Sequence, residues 1–177
     1  MVVELSVVWN DLIADLNHPG STRTLLSCLK TETYPEVRVA ILEEIGQLKN
    51  ATTLPAMIQC IASEDDQESA AAAQALTQLA QAKLITSQTE ISQATSGLIA
   101  RYESLADSEN SQTLRESLLT AMGAMAAPQA KIVLLEAVDS VSGAVRLAAI
   151  NGLEQYNDKA MAPIFAEKLH DHDRGAR

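Results

Sequence analysis

Apolar residues recur at the spacing of one helical face in the first third of the chain. Val37, Ile41, Ile45 and Leu48 follow one another at intervals of three or four residues, with charged and polar residues among the positions between them. Side chains three and four residues apart lie on the same face of an α-helix. The pattern therefore predicts a helix over residues 36–49 with one buried face.

A second helix is predicted directly after the first. The polar turn KNAT separates the two, and Pro55 follows it. Proline is tolerated in the first turn of a helix, where its missing N–H would have no helical partner. Met57, Ile58 and Ile61 then form an apolar stripe at helical spacing. The two segments together predict a helical hairpin.

The sequence of the same hairpin recurs further along the chain. The segment VRVAILEEIGQL (37–48) returns as VRLAAINGLEQY (145–156), and Pro163 follows the copy at the place of Pro55. Sequence similarity at a period of about 20–50 residues is typical of solenoid proteins, in which each repeat is one supersecondary unit. We therefore interpret the hairpin as a stacking unit.

The period divides the chain into about five hairpins. The expected repeats are residues 1–31, 32–63, 64–107, 108–139 and 140–170, with 171–177 as the beginning of a further, truncated repeat. A single hairpin cannot bury its apolar face, whereas stacked hairpins form a continuous core. The sequence thus predicts an all-α fold, a right-handed α-α superhelix built as one array over residues 1–177. We expect this chain to be a fragment of a longer protein.

The third repeat is expected to be longer than the others. The interval from its first helix (67–80) to the counterpart in the fourth repeat exceeds the usual period by about half a repeat. Ser87 and Glu90 form a capping-box pattern, and helical spacing continues to about residue 105. We predict an elongated second helix and an exit loop at 106–112. Insertions in solenoids often carry binding, although a lengthened helix without a function explains the pattern equally well.

An arginine opens the first helix of several repeats. The equivalent positions hold Arg38, Arg115, Arg146 and Arg177. An acidic residue stands six positions earlier in three cases: Glu32, Glu109 and Asp171. Because this spacing follows the repeat, we expect the arginines to pair with acids or carbonyl groups of the preceding repeat and to join successive units. Ligand binding is the alternative.

Composition and charge restrict the class of protein and its partners. Aromatic residues make up 3% of the chain, so the core must consist of aliphatic side chains, which favour close helix packing. The net charge of −10 repels phosphate backbones, and nucleic acid is therefore not expected as a partner. No segment is apolar over a membrane-spanning length, and the N-terminus lacks the features of a signal peptide. A cytoplasmic location is expected.

Recognisable catalytic and metal-binding motifs are missing from the sequence. No nucleotide-binding, nucleophile-elbow or zinc-peptidase motif occurs. The histidines lack zinc-ligand spacing, and HDHD (170–173) is interpreted as a solvated loop in preference to a loose metal site. Acidic clusters at 63–68 and 105–110 are expected to cap helix N-termini. The histidines are His18, His170 and His172.

The two cysteines are expected to be free thiols. Cys28 and Cys60 occupy equivalent positions of successive second helices, one repeat apart. Neighbouring helices stand about 8–10 Å apart, whereas a disulfide requires Cα atoms within about 7 Å. Because the sequence lacks catalytic and metal-binding motifs and packing explains the thiols, we predict no catalytic residue, no metal and no cofactor.

At the repeat positions the chain resembles HEAT-like repeats of the short, roughly 30-residue kind also found in phycobilisome lyases. The resemblance rests on Val37, Arg38, Ala40, Ile45, Gly46, Leu48, Pro55, Ile58 and Ile61. It recurs as Val145, Arg146, Ala148, Leu153, Tyr156, Pro163 and Leu169. It covers nearly the whole chain and is weakest at 64–110. The resemblance implies a stacked helical fold and leaves the activity open.

The function expected from a repeat framework without a catalytic constellation is a non-catalytic scaffold. It would receive a peptide or protein on a concave face formed by the second helices. The candidate binding residues are Arg23, Gln59, Arg101, Lys131 and Glu167. The resemblance alone suggests an alternative, a phycobilin lyase-like enzyme or chaperone handling a tetrapyrrole. Self-association through uncapped solenoid ends is a further expected contact.

Overall fold

The structure, a computed structural model, describes residues 20–105 and 111–158 of the chain. These residues form eight α-helices and one short 3-10 helix, and no strand occurs among them. The predicted all-α class is therefore confirmed. In this described part, no helix is both long and apolar enough to cross a membrane. The residues divide into two compact units, with the boundary between Ile85 and Thr86.

The first unit contains four of the described helices, packed in succession. They are α1 (Ser21–Thr31), α2 (Pro35–Leu48), α3 (Leu54–Ile61) and α4 (Asp66–Gln81), with a 3-10 turn at Ala51–Thr53. Helix α2 packs most extensively against α4, the first helix of the next predicted repeat. Helix α1 packs against α2, and α3 packs against α4. First helices of successive repeats are thus neighbours, as stacking requires.

Local sequence signals determine where α2 and α3 begin and end. Pro35 begins α2, and Pro55 lies in the first turn of α3, as predicted. Helix α2 ends at Leu48, and the next residue, Lys49, adopts a left-handed conformation with φ of 47° and donates its N–H to the carbonyl of Gly46. This conformation closes the last turn and reverses the chain toward α3.

The second unit repeats the arrangement. Its helices are α5 (Gln88–Glu103), α6 (Gln112–Met125), α7 (Ala130–Ala137) and α8 (Gly143–Glu154). Helix α6 packs mainly against α8, so the first helices of two successive repeats again lie side by side. Helix α5 packs against α6, and α7 packs against α8. The segment that duplicates α2 in sequence therefore forms the same kind of stacking helix in α8.

Helix α5 confirms the elongated second helix of the third repeat. It has 16 residues, whereas the corresponding helices α3 and α7 have 8 each. The predicted capping box at its start is wrong. Ser87 occupies the N-cap position, but its side chain makes no capping hydrogen bond. Ser87 and Glu90 are both exposed, so water competes for their polar groups.

Close helix contact occurs at the same repeat positions in both units. A Cβ atom at Gly46 would lie 3.0 Å from Cα of Ala75 on the neighbouring helix. A Cβ at Gly123 would overlap Cα of Gly152. The separation in sequence from Gly46 to Gly123 equals that from Ala75 to Gly152. Within each unit, the first helices of two successive repeats therefore stack through small residues at equivalent positions.

The core of each unit is aliphatic. In the first unit the largest fully buried side chains are Leu25, Leu42, Ile45, Met57, Ile61, Leu76 and Leu79. In the second they are Leu98, Leu114, Leu118, Leu119 and Met122. Helix α4 buries the alanine run Ala70 to Ala73, which lets α2 and α3 approach it closely. Burying such side chains contributes roughly 1.5–3 kcal/mol for each large one.

Candidate functional site

A groove of about 460 Å³ opens on the first unit, lined by residues of α1 and α3. Its more accessible lining includes Leu26, Lys30, Ala56, Gln59, Ala62 and Ser63. Leu26 and Lys30 lie four residues apart on α1, while Ala56 and Gln59 lie three apart on α3. Each pair therefore lies on one face of its helix. Second helices of two successive repeats thus supply the groove.

An ion pair lies at the base of this groove. Arg38 Nη2 stands 2.6 Å from Glu68 Oε1, and the Glu68 side chain is only 8% exposed. Glu68 Oε2 accepts a hydrogen bond from Ser63 Oγ at 3.1 Å. The hydrogen bond from Arg38 holds the pKa of Glu68 below its usual value, although burial acts in the opposite direction. The carboxylate is therefore charged and compensated at neutral pH.

The other guanidinium nitrogen of Arg38 joins α2 to the end of α1. Nη1 donates to the carbonyl of Leu29 at 2.6 Å and to that of Glu32 at 3.1 Å. Carbonyl groups in the last turn of a helix lack helical partners, so a cation placed there satisfies them. The carboxylate of Glu32 instead accepts the backbone N–H groups of Thr33 and Tyr34. Arg38 thus contacts only the backbone of Glu32. The carboxylate that pairs with Arg38 is that of Glu68, which belongs to the following repeat.

Cys60 completes the base of the groove. Its Sγ lies 3.7 Å from Arg38 Nη2. Burial is the largest cause that raises the pKa of the Cys60 thiol, to about 12, and its hydrogen bond with Glu68 acts in the same direction. A thiol with this pKa is protonated at neutral pH and is a poor nucleophile. Both Cys60 and the exposed Cys28 are free, as predicted.

Ser69 occupies the position of the recurrent arginine in the third repeat. It stands one repeat after Arg38 and is fully buried. Its Oγ donates to the carbonyl of Ile61, the last residue of α3, at 2.7 Å. A hydroxyl therefore makes the contact that the guanidinium makes at the end of α1. The repeat register alone identifies Ser69, although a search for arginine misses it.

Two of the recurrent arginines, Arg115 and Arg146, lie in the described part of the second unit and bond to carbonyl groups that follow a second helix. Arg115 Nη1 donates to the carbonyl of Leu105 at 3.5 Å, and its guanidinium stacks 4.4 Å from the centre of the Tyr102 ring. Arg146 Nη1 donates to the carbonyl groups of Ser140 at 2.8 Å and Val141 at 3.0 Å. All these acceptors lie just before the first helix that carries the arginine. Arg177 lies outside the described residues.

The candidate binding residues do not all gather at one place. Gln59 lines the groove, and Arg23 is exposed on α1, three residues before Leu26. In the second unit, Arg101 donates to Ser104 Oγ at 3.2 Å on α5, and Lys131 forms an ion pair with Asp158. The other residues singled out in the sequence lie outside the described part of the chain: the candidate binding residue Glu167, the histidines His18, His170 and His172, and the acids Glu109 and Asp171.

Sequence reasoning missed several groups that line the groove. Leu26 could have been found from its repeat equivalence with Ile58, whereas Lys30 carried no motif and only its helical spacing from Leu26 points to the groove. Glu68 belongs to the acidic cluster predicted to cap a helix. Within that cluster, Asp65 does cap α4 by accepting the N–H of Glu68 at 2.8 Å. The Glu68 side chain turns to Arg38 instead.

The acidic, histidine and cysteine side chains of the described residues do not cluster as metal ligands. No group of three or more histidine, cysteine, aspartate or glutamate side chains there could hold a metal ion. Two acids at the N-terminus of α4, Asp65 and Glu68, are accounted for by capping and by the ion pair with Arg38. The polar groups at the base of the groove therefore bond to one another.

Stacked helical hairpins with a groove between second helices define the class of an α-helical repeat protein. Residues 11–87 match the family model for HEAT repeats. This segment is therefore similar to HEAT repeats, in agreement with the resemblance seen in the sequence, and the described residues of the first unit lie within the match. The match does not bear on the phycobilisome lyase type. A comparison with curated proteins found no match. HEAT repeats are generally scaffolds for protein interactions.

Proposed function

We propose that this protein is a non-catalytic scaffold that binds a peptide segment of a partner protein in the groove between α1 and α3. The observation that carries this proposal is the division of the groove into two layers. Buried polar groups at its base are paired with each other, whereas the side chains above them are accessible. A paired base gives the groove a fixed shape, and an accessible upper layer is available to a ligand.

The chemistry of the base supports binding over catalysis. Glu68 is held as a carboxylate by Arg38, and Cys60 is held as a thiol by burial. A general base or nucleophile at neutral pH needs the opposite tuning, with the carboxyl pKa raised or the thiol pKa lowered. We assign to Arg38, and by equivalence to Arg115 and Arg146, the structural role of joining successive repeats.

The dimensions of the groove suit a peptide. A volume of about 460 Å³ accommodates a few side chains, and its lining alternates apolar groups with an amide and an ammonium group. Nucleic acid is disfavoured in this proposal because the net charge of −10 opposes it. The proposal retains the cytoplasm as the location.

A peptide-display library tests this function. Random peptides are selected on the wild-type protein and then measured against two variants. Ala56→Trp fills the groove, and Ala100→Trp places the same side chain at an exposed site on α5. We expect selected peptides to bind wild type and A100W equally and to lose at least tenfold in affinity for A56W. Equal binding to all three proteins, or a library without binders, contradicts the proposal.

A further inference from the structure

We propose that the groove binds an acidic peptide segment in which two carboxylates flank an apolar side chain. This inference rests on the proposed function and specifies the chemistry of the ligand.

Two cations on the groove side of α1 have no partner among the described residues. Arg23, Leu26 and Lys30 are spaced by three and four residues, so they share one face of the helix. Leu26 and Lys30 line the groove, which places Arg23 along the same edge. Both Arg23 and Lys30 are exposed, and neither makes a hydrogen bond or ion pair within the described part of the chain. Helix α1 itself contains no acidic residue.

The acid that lines the groove and the acid that follows α1 are both already engaged. Glu68, which lines the groove, pairs with Arg38 and accepts from Ser63. Glu32, just beyond α1, accepts two backbone N–H groups. Among the residues that line the groove, the uncompensated charge is therefore that of Lys30, which is positive. Because the chain as a whole carries −10, this local sign is opposite to the average charge of the protein.

The spacing of the cations sets the spacing of the carboxylates. Seven residues of α-helix separate Arg23 from Lys30, which is about 10.5 Å along the axis. In an extended peptide, side chains on one side recur every two residues, at about 3.3 Å per residue. Carboxylates four residues apart are then about 13 Å apart, within reach of two long flexible cationic side chains. The residue midway between them faces Leu26, so an apolar side chain fits there.

The test uses two labelled peptides of about twelve residues and fluorescence anisotropy. One peptide has the central pattern glutamate, serine, leucine, serine, glutamate, and the other has glutamine in place of both glutamates. The groove variant is Arg23→Gln with Lys30→Gln. The matched control, Lys49→Gln with Lys83→Gln, removes the same charge from exposed sites of the first unit outside the groove.

We expect the acidic peptide to bind wild type at least tenfold more tightly than the glutamine peptide. The groove variant should lose at least tenfold in affinity for the acidic peptide, whereas the control variant should bind as wild type does. Equal affinity for the two peptides overturns the inference, as does an equal loss in both variants. A single-stranded oligonucleotide that competes as well as the acidic peptide also overturns it, because a general polyanion site would then explain the binding.

Failure of this inference can be separated from failure of the proposed function. If the display library yields neutral peptides that A56W rejects, the groove binds peptides and only the acidic specificity is wrong. If no selected peptide depends on Ala56, and the acidic peptide does not bind wild type, both proposals are wrong.

Discussion

At the level of single residues, one repeat position supplies a hydrogen-bond donor to carbonyl groups at the end of a second helix. Arginine performs this task at Arg38, and a buried serine performs it at Ser69. A serine side chain is short, so α4 must approach the end of α3 closely for Oγ to reach the carbonyl of Ile61 at 2.7 Å. The preceding residue, Glu68, then reaches back to Arg38 and links three successive repeats.

Replacing Arg38 tests this link. Arg38→Gln removes the bonds to the end of α1 and leaves the buried Glu68 carboxylate without its cation. We expect a loss of about 2–4 kcal/mol in the free energy of unfolding, measured with urea, because an uncompensated buried charge is costly. The double variant R38Q/E68Q should recover part of this loss, since no charge remains. Lys30→Gln, at an exposed site, should change stability by less than about 0.5 kcal/mol.

Two results would contradict the assignment of Arg38. One is a loss in R38Q no larger than that in K30Q, which would mean that the ion pair contributes little. The other is a double variant that loses the sum of the two single variants, because coupled residues should not be additive.

Stability should also depend on pH through Glu68. Its pKa in the folded protein lies below the ordinary value near 4.5, chiefly because Arg38 donates to it. Between these two pKa values the unfolded chain binds a proton that the folded chain does not. The contribution of Glu68 is therefore fully present above about pH 5 and is lost as the pH falls through the folded pKa.

The measurement compares wild type with Glu68→Gln from pH 6 to pH 3. The difference in unfolding free energy should shrink as the pH falls, because protonation removes the charge that distinguishes the two proteins. A difference that stays constant over this range would show that Glu68 does not carry the lowered pKa.

At the level of helices, the stacking of first helices depends on small residues at equivalent positions. Gly46 meets Ala75 in the first unit, and Gly123 meets Gly152 in the second. Glycine inside a helix costs about 1 kcal/mol relative to alanine. Close approach of the neighbouring backbone explains why glycine occurs at these sites.

Gly123→Ala should therefore destabilise the protein although alanine favours the helix. The new Cβ meets the backbone of Gly152, which cannot move aside as a flexible side chain could. We expect a net loss of about 1–3 kcal/mol in thermal or urea unfolding. Thr120→Ala, at an exposed site on the same helix, serves as the control and should be neutral or slightly stabilising. A stabilised G123A protein would refute close packing at this contact.

The helices were largely predictable from the sequence, whereas the partners of single side chains were not. The period of apolar residues predicted α2 and its duplicate α8, and the interrupted register predicted the long α5. Arg38 was expected to pair with acids or carbonyl groups of the preceding repeat, where it donates to the carbonyl of Leu29. The carboxylate that pairs with Arg38 belongs to Glu68 in the following repeat, because α4 packs on α2. Such a contact depends on packing between repeats and leaves no local pattern.

At the scale of the whole molecule, net charge and local charge have opposite signs. The total of −10 correctly describes the average surface and argues against polyanions. It could not show that Glu68 and Glu32 are engaged while Arg23 and Lys30 have no partner among the described residues. That distinction depends on the hydrogen bonds of the folded chain. The sign of the local charge at the groove therefore could not be predicted from the sequence.

A titration of the isotope-labelled protein with the acidic peptide, followed by NMR, tests most directly whether the groove is the binding surface. We expect the amide signals of Leu26, Lys30 and Gln59 to shift progressively, with those of α5 to α8 unchanged. The same titration of the Arg23→Gln, Lys30→Gln variant should produce no shifts at equal concentrations. Shifts confined to α5–α8, or spread evenly over the described helices, would contradict the assignment of the groove as the site of partner binding.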